Sequence, residues 1–211
     1  DVATAAATTL ASSGVVGVVG AACSGATMAA NAVLSAAGIP MISYASTSPA
    51  LTNATAYPHF FRVVPSDELQ GPAIKDTINN RDANLTSPAL VHMTNDYGSG
   101  LATAFENAWG TDNLCTKIGY EDTTTDFTTQ VQAVADAGCD SIVLISYAAD
   151  GAAIVEQMNA SGLSIPIFGG DGVAEEGLCA EMSDESLCDG IVATKPSSGA
   201  PNERMAAFGA L

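Results

Sequence analysis

Basic residues are scarce in this sequence. Lys and Arg number 6 against 23 Asp and Glu in 211 residues, a formal net charge of −17. A chain without a basic footprint has nothing with which to neutralise a phosphate backbone or an anionic membrane surface, so nucleic-acid and membrane-surface binding are excluded as functions. The acidity fits solubility in an extracellular or salty setting. Long apolar runs are missing too. The longest, residues 14–23 (GVVGVVGAAC), is Gly-rich and far short of the roughly 20 residues a membrane helix needs. The two histidines, His59 and His92, are not near a Cys, and no CxxC spacing occurs, which argues against a zinc or redox centre. Five Cys are too few for a disulfide scaffold. P-loop, GxGxxG and Gly-x-Ser-x-Gly signatures are absent. No signal peptide is evident, and the sequence starts at Asp1 without Met; we read it as a mature form, a fragment, or both.

What is present is a foldable composition, 47% hydrophobic and 14% charged, long enough to bury a core. Short β-branched runs alternate with Ala-rich stretches. Strands are expected at residues 15–19 (VVGVV, read as buried), 39–44, 59–64, 89–94, 117–120, 141–147, 165–169 and 190–194. Helices are expected near 3–12, 27–37 (stopped by Gly38), 69–80, 100–108, 127–137 and 151–161. Continuous apolar strands alternating with helices predict a parallel, doubly wound α/β fold. One break stands out: residues 45–57 are Thr/Ser/Asn-rich without helical period, and Pro65-Ser66-Asp67 reads as the cap of the next helix. Residues 62–66 therefore read as a crossing between two lobes. Asn-x-Ser/Thr occurs at Asn53, Asn84 and Asn159, as expected by chance in so Ser/Thr-rich a chain.

In open parallel sheets ligands bind beyond the carboxyl ends of the strands. Two such tips, Cys23-Ser24-Gly25 and Ala45-Ser46-Thr47-Ser48-Pro49, offer small hydroxyls and backbone N–H groups at helix starts, suited to a carboxylate. Three others, Asn95-Asp96-Tyr97-Gly98, Tyr147 and Gly170-Asp171-Gly172, offer two aromatic rings and an acid, suited to a cation. The sets lie on opposite sides of the crossing, so a ligand carrying both carboxylate and ammonium satisfies both. Each residue also has a plain structural reading: Ser24 and Thr47 as helix caps, Tyr97 and Tyr147 as rim aromatics, Asp171 as a turn residue. Asp96 reads as a cap or brace of the Tyr97-Gly98 turn rather than a ligand contact. Cys23 at a strand-to-helix turn raises an enzyme reading, but neither His is placed to serve as its base. The acidic segment 121–126 and Asp184-Glu185 lack calcium-loop spacing.

The runs GAACSGAT at 20–27, IPMISYASTSPAL at 39–51, FRVVPSD at 61–67 with Gln70-Gly71, NDYGSG at 95–100 and FGGDG at 168–172 together resemble the type I periplasmic binding proteins of the leucine/isoleucine/valine-binding family. The resemblance runs through the whole chain in order. It implies two Rossmann-like lobes that close on a solute, with lobe 1 (residues 1–64 and 197–211) incomplete and lobe 2 spanning 65–196. It implies a periplasmic or extracellular amino-acid receptor that feeds the permease of an ABC importer, with no cofactor. The carboxylate would be held by Ser24, by Ala45 through its backbone and by Thr47. The ammonium would be held by Asp171 with Tyr97 and Tyr147 alongside. Relatives often carry Glu where this chain has Asp171, which shortens the acid's reach. Cys23 often has a partner Cys upstream of the position matching Asp1, so it is expected to be unpaired here.

Three readings remain open: a transport receptor for a zwitterion or another carboxylate, a ligand-sensing domain, and an enzyme built on Cys23. Crossings are expected at 63–66 and 195–198. In a chain of secreted character, Cys179 and Cys188 are expected to pair across a short acidic loop, with Cys115 and Cys139, both near strand starts, as a second candidate pair.

Overall fold

The computed structural model describes residues 2–174 and 176–197. The elements in chain order are α1 (Val2–Ser12), β1 (Val18–Val19), α2 (Ser24–Ala36), β2 (Met41–Ser43), β3 (Phe60–Arg62), α3 (Asp67–Arg81), β4 (Pro88–Met93), α4 (Asp96–Trp109), β5 (Thr116–Tyr120), α5 (Thr128–Ala137), β6 (Ser141–Ile145), α6 (Ala148–Ser161), β7 (Ile167–Gly169), α7 (Glu176–Ala180) and β8 (Val192–Ala193). They form two all-parallel sheets, β1-β2-β3 in lobe 1 and β5-β4-β6-β7-β8 in lobe 2.

The lobe 2 sheet is covered on both faces, which is why its central strands read as unbroken apolar runs. In β6, Val143 and Ile145 pack with Ile74 and Ile78 of α3 and Leu101 and Phe105 of α4. The alternate residues Ile142 and Leu144 pack with Val131 and Val134 of α5 and Ile154 and Met158 of α6. Phe105, Phe127 and Phe168 are fully buried, each worth about 1.5–3 kcal/mol in area removed from water. Cys115–Cys139 and Cys179–Cys188 are disulfides, and Cys23 is free and exposed.

Among the described residues, lobe 1 is covered on one face. Val18, Met41 and Phe60 pack on Ala7 of α1 and Ala30 and Leu34 of α2. On the other face Val19, Ile42 and Phe61 stand side by side in register and exposed. The expected buried strand over 15–19 is therefore corrected. Only Val18–Val19 forms ladder, and Val16 and Val19 are exposed, because no helix among the described residues covers that face.

Two further boundaries differ from expectation. The stretch 45–57 contains a 3₁₀ turn, Pro49–Thr52, with Pro49 in its first turn. Helix α4 begins at Asp96 rather than near Gly100. Asn95, not Asp96, is its cap, accepting the Gly98 N–H at 2.9 Å. Ser66 caps α3 through the Glu68 N–H. The chain passes from β3 to α3 through Val63, Val64, Pro65 and Ser66, and leaves β8 through Thr194, Lys195, Pro196 and Ser197. The expected second crossing ends at Ser198, and that residue and the rest of segment 198–211 lie outside the described residues. Among the described residues no helix is long and apolar enough to cross a membrane.

Candidate ligand-binding cleft

A cavity of about 670 Å³ opens between the carboxyl ends of the two sheets. Ser24 and Ala45 line it from lobe 1, Tyr97, Tyr147 and Asp171 from lobe 2, and Val63, Pro65 and Lys195 from the crossings. A groove of about 570 Å³ lies at the opposite, amino ends of β7 and β8, but none of the site residues expected from the sequence lines it.

On the lobe 1 wall, Cys23 occupies the cap position of α2 in extended conformation and makes no side-chain cap bond. The first N–H groups of α2 thus lack a side-chain acceptor, and the positive end of the helix faces the cleft. Ser24 is buried, and its Oγ accepts the Ser48 N–H at 3.1 Å, leaving the hydroxyl proton to donate elsewhere. The Ala45 N–H is taken by Ser43 Oγ at 3.2 Å. Thr47 is not in the cleft wall. It is buried behind it, and its carbonyl accepts the Asp67 N–H at 3.0 Å.

On the lobe 2 wall, Asp171 opens a 3₁₀ turn after β7. The Tyr97 hydroxyl donates to Asp171 Oδ1 at 2.8 Å and accepts the Gly172 N–H at 3.0 Å. A Cβ on Gly172 would collide with the Ser146 carbonyl and stand 3.0 Å from the Tyr97 hydroxyl, so glycine is needed there for close approach. The rings of Tyr97 and Tyr147 stack at 5.2 Å and 11°. Burial pushes the Asp171 carboxyl above the ordinary carboxylate range, against the pull of the Tyr97 hydrogen bond. Burial and then the Asp171 charge raise the Tyr97 phenol; burial and then Cys23 raise that of Tyr147. Both tyrosines are therefore neutral donors at physiological pH.

The lobes touch beyond the cavity as well. Asp96 Oδ2 lies 2.9 Å from where a Cβ on Gly25 would be, and Pro49 Cδ lies 2.9 Å from that position on Gly100. The first turns of α4 thus pack directly on α2 and the Pro49 turn.

Sequence reasoning missed Tyr44 and Lys195, which also line the cavity. Tyr44 follows β2 as Tyr147 follows β6, so the rule that singled out Tyr147 would have found it. Cys23 also lines the cavity, but at the carboxyl end of its sheet. His59 precedes β3 at the amino end, and His92 is buried in β4 with Nδ1 on the Met93 carbonyl at 2.7 Å. Neither supplies a base for a thiol nucleophile.

Residues 1–169 match the receptor family ligand binding region. The chain belongs to this family. Within it, the chain is 31% identical over 183 residues to the Leu/Ile/Val-binding protein of Escherichia coli (strain K12), covering 86% of this chain and 49% of that protein. Identity and coverage are the same for the Leu/Ile/Val/Thr-binding protein of Salmonella typhimurium. The chain thus spans about half the length of these curated relatives. A solved family structure, the branched-chain amino acid transporter substrate binding protein of Streptococcus pneumoniae in complex with isoleucine, is 27% identical. It superposes with a TM-score of 0.81 over 98% of this chain and 59% of that one. The ABC transporter substrate-binding protein from Desulfitobacterium hafniense, at 23% identity and a TM-score of 0.69, shares the fold. Two parallel-sheet lobes of the type I periplasmic-binding kind are the architecture of this family member.

Proposed function

We propose that this chain is the ligand-binding part of an extracytoplasmic receptor for an amino acid, of the branched-chain class or a related zwitterion. Delivery is to the permease of an ABC importer, from the periplasm or the extracellular space. The observation that carries the reading is the division of chemistry across one cavity. An uncapped helix start beside Ser24 and Ala45 faces the Tyr97–Asp171 pair and the Tyr147 ring. A carboxylate fits the first wall and an ammonium the second. Thr47 contributes from behind, by holding the loop that carries Ala45.

The Leu/Ile/Val-binding relative of Escherichia coli, the Leu/Ile/Val/Thr-binding relative of Salmonella and the isoleucine-bound Streptococcus structure support the same ligand class. We take the lobe boundaries to be the crossings at 64/65 and 196/197, about which the lobes close on the ligand. The role is binding rather than catalysis, and no cofactor is needed for it. A sensing domain is the second reading, favoured by 38% identity over 84 residues to the metabotropic glutamate receptor-like protein E of Dictyostelium discoideum. That match covers 10% of the receptor, so transport is preferred.

A thermal-shift screen of the proteinogenic amino acids on the full-length protein tests the ligand class. A ligand at a hundredfold its Kd adds about 2.7 kcal/mol and raises Tm by several degrees. Leucine, isoleucine or valine should do so. A screen in which no amino acid moves Tm would overturn the proposal.

A further inference from the structure

Behind the cleft, where the crossings meet, lies a cluster of buried oxygen atoms that are short of donors. Asp67, the first residue of α3, is fully buried, and neither carboxylate oxygen has a hydrogen-bond partner among the described residues. Thr47 Oγ1 from lobe 1 and Gln70 Oε1, three residues along α3, are buried and unpartnered as well. The same residues fasten the hinge by their other groups. The Asp67 N–H donates to the Thr47 carbonyl at 3.0 Å, and Gln70 Nε2 donates to the Thr194 carbonyl at 3.0 Å and to Thr194 Oγ1 at 3.1 Å. Asp67 therefore joins the lobe 1 loop to the first crossing, and Gln70 joins the second crossing to α3.

The charges around Asp67 do not neutralise it. Arg62 of β3 faces it, but its guanidinium is spent on the Ser48 carbonyl at 2.9 Å, the Ser46 carbonyl at 3.4 Å and Thr52 Oγ1 at 2.7 Å. Asp171, from the turn after β7, adds a second negative charge, and the nearby Tyr97 of α4 is neutral. Glu68 on the same helix is exposed, and Lys195 lines the neighbouring groove. A buried carboxylate with only the Thr47 hydroxyl near enough to donate is costly when ionised, and a proton on it would supply the donor that Thr47 Oγ1 or Gln70 Oε1 lacks.

We infer that Asp67 is a proton-holding positioning residue of the hinge. Below neutral pH it is protonated and donates its acid proton within the Thr47–Gln70 cluster, and it loosens that junction as it ionises. The direction agrees with burial, and next the Asp171 charge, raising the Asp67 pKa to about 7 over the opposing pull of the Thr47 hydroxyl and the Arg62 charge. A folded pKa above the unfolded one means the folded state binds the extra proton. The stability this group contributes is full below about pH 4 and is lost as pH rises through about 7. The hinge role rests on the two-lobed receptor reading, whereas the protonation state does not depend on any ligand.

The test uses the ligand-free full-length protein. Carbon-13 carboxyl titration should find one aspartate titrating near pH 7 that is absent from Asp67→Asn. Thr47→Val, which removes the hydroxyl and keeps the shape, should move that titration. Between pH 5 and 8 the Tm of wild type should fall relative to Asp67→Asn by about 5 °C or more. If Asp67→Asn does not fold, the Thr47→Val shift alone carries the test. Titration of every aspartate below about pH 5, or a Tm difference flat across the range, would overturn the inference and leave Asp67 ionised beside a water or a cation. Loss of the predicted amino-acid binding with the near-neutral titration intact would remove the functional reading and keep this one.

Discussion

The Tyr97 hydroxyl holds Asp171 from below, donating to its Oδ1 at 2.8 Å while the Tyr97 ring lies against that of Tyr147. The acid is thereby fixed in one orientation at the cleft surface, and its burial disfavours the charged form. Losing one partner of a buried charge pair costs about 3–5 kcal/mol, some hundreds-fold or more in affinity. Asp171→Asn should therefore abolish tight binding of an α-amino acid in calorimetry. Tyr97→Phe removes one charge-assisted hydrogen bond and should weaken binding by roughly ten- to a hundredfold. Equal affinities in wild type and Asp171→Asn would return Asp171 to the role of a turn residue.

Ser24→Ala should be milder. The backbone N–H groups of α2 remain to hold a carboxylate, so the loss should stay at the low end of the roughly 1.5–3 kcal/mol of a charge-assisted hydrogen bond, about tenfold. The variant also leaves the buried Ser48 N–H without its acceptor, so Tm should drop in the ligand-free protein. A Ser24→Ala protein with unchanged Tm and a hundredfold affinity loss would mean that the hydroxyl, not the helix start, holds the anion.

Gly100 separates closure from folding. A Cβ there would stand 2.9 Å from Pro49 Cδ and 3.3 Å from Ser48 Oγ, both across the cleft in lobe 1. Ala in a helix interior is better than Gly by roughly 1 kcal/mol. Gly100→Ala should thus leave lobe 2 as stable or more so, weaken ligand affinity, and reduce the compaction seen on ligand addition by small-angle scattering. Full compaction with unchanged affinity would mean that the lobes do not close through this contact.

The disulfides set the thiol count. Denatured without reductant, the chain should expose one reactive thiol, Cys23, with Cys115, Cys139, Cys179 and Cys188 protected. Cys115–Cys139 closes the longer loop, with a sequence separation of 24, so its reduction should cost about 3 kcal/mol and more than that of Cys179–Cys188. Five reactive thiols would rule out both bridges.

Most of lobe 2 was legible because burial on both sheet faces writes the same signal into every strand residue. The run at 141–145 needs Val143 and Ile145 for one helix layer and Ile142 and Leu144 for the other. The same letters at 15–19 misled, since an apolar run does not reveal that helices cover one face of its sheet. The start of α4 was hidden because Asn95, Asp96 and Gly98 look like loop residues until the Asn95 cap is seen to turn them into a first helical turn. Of the six expected ligand-contacting residues, Ser24, Tyr97, Tyr147 and Asp171 could be placed at strand ends by topology, Ala45 came with the family resemblance, and these five line one cavity. The burial of Thr47 behind the wall was not legible, because it depends on Asp67 approaching from the other lobe. Asp67 itself read as part of a helix cap, and nothing in the local sequence marks its carboxylate as unpartnered.

The central claim is that the cleft recognises an ammonium and a carboxylate on one ligand. It is tested most directly by calorimetry of the full-length protein with L-isoleucine and with the α-keto acid of the same side chain, which keeps the carboxylate and lacks the ammonium. The account predicts that isoleucine binds at least a hundredfold more tightly, because only it pairs with Asp171. Equal or tighter binding of the keto acid would contradict it.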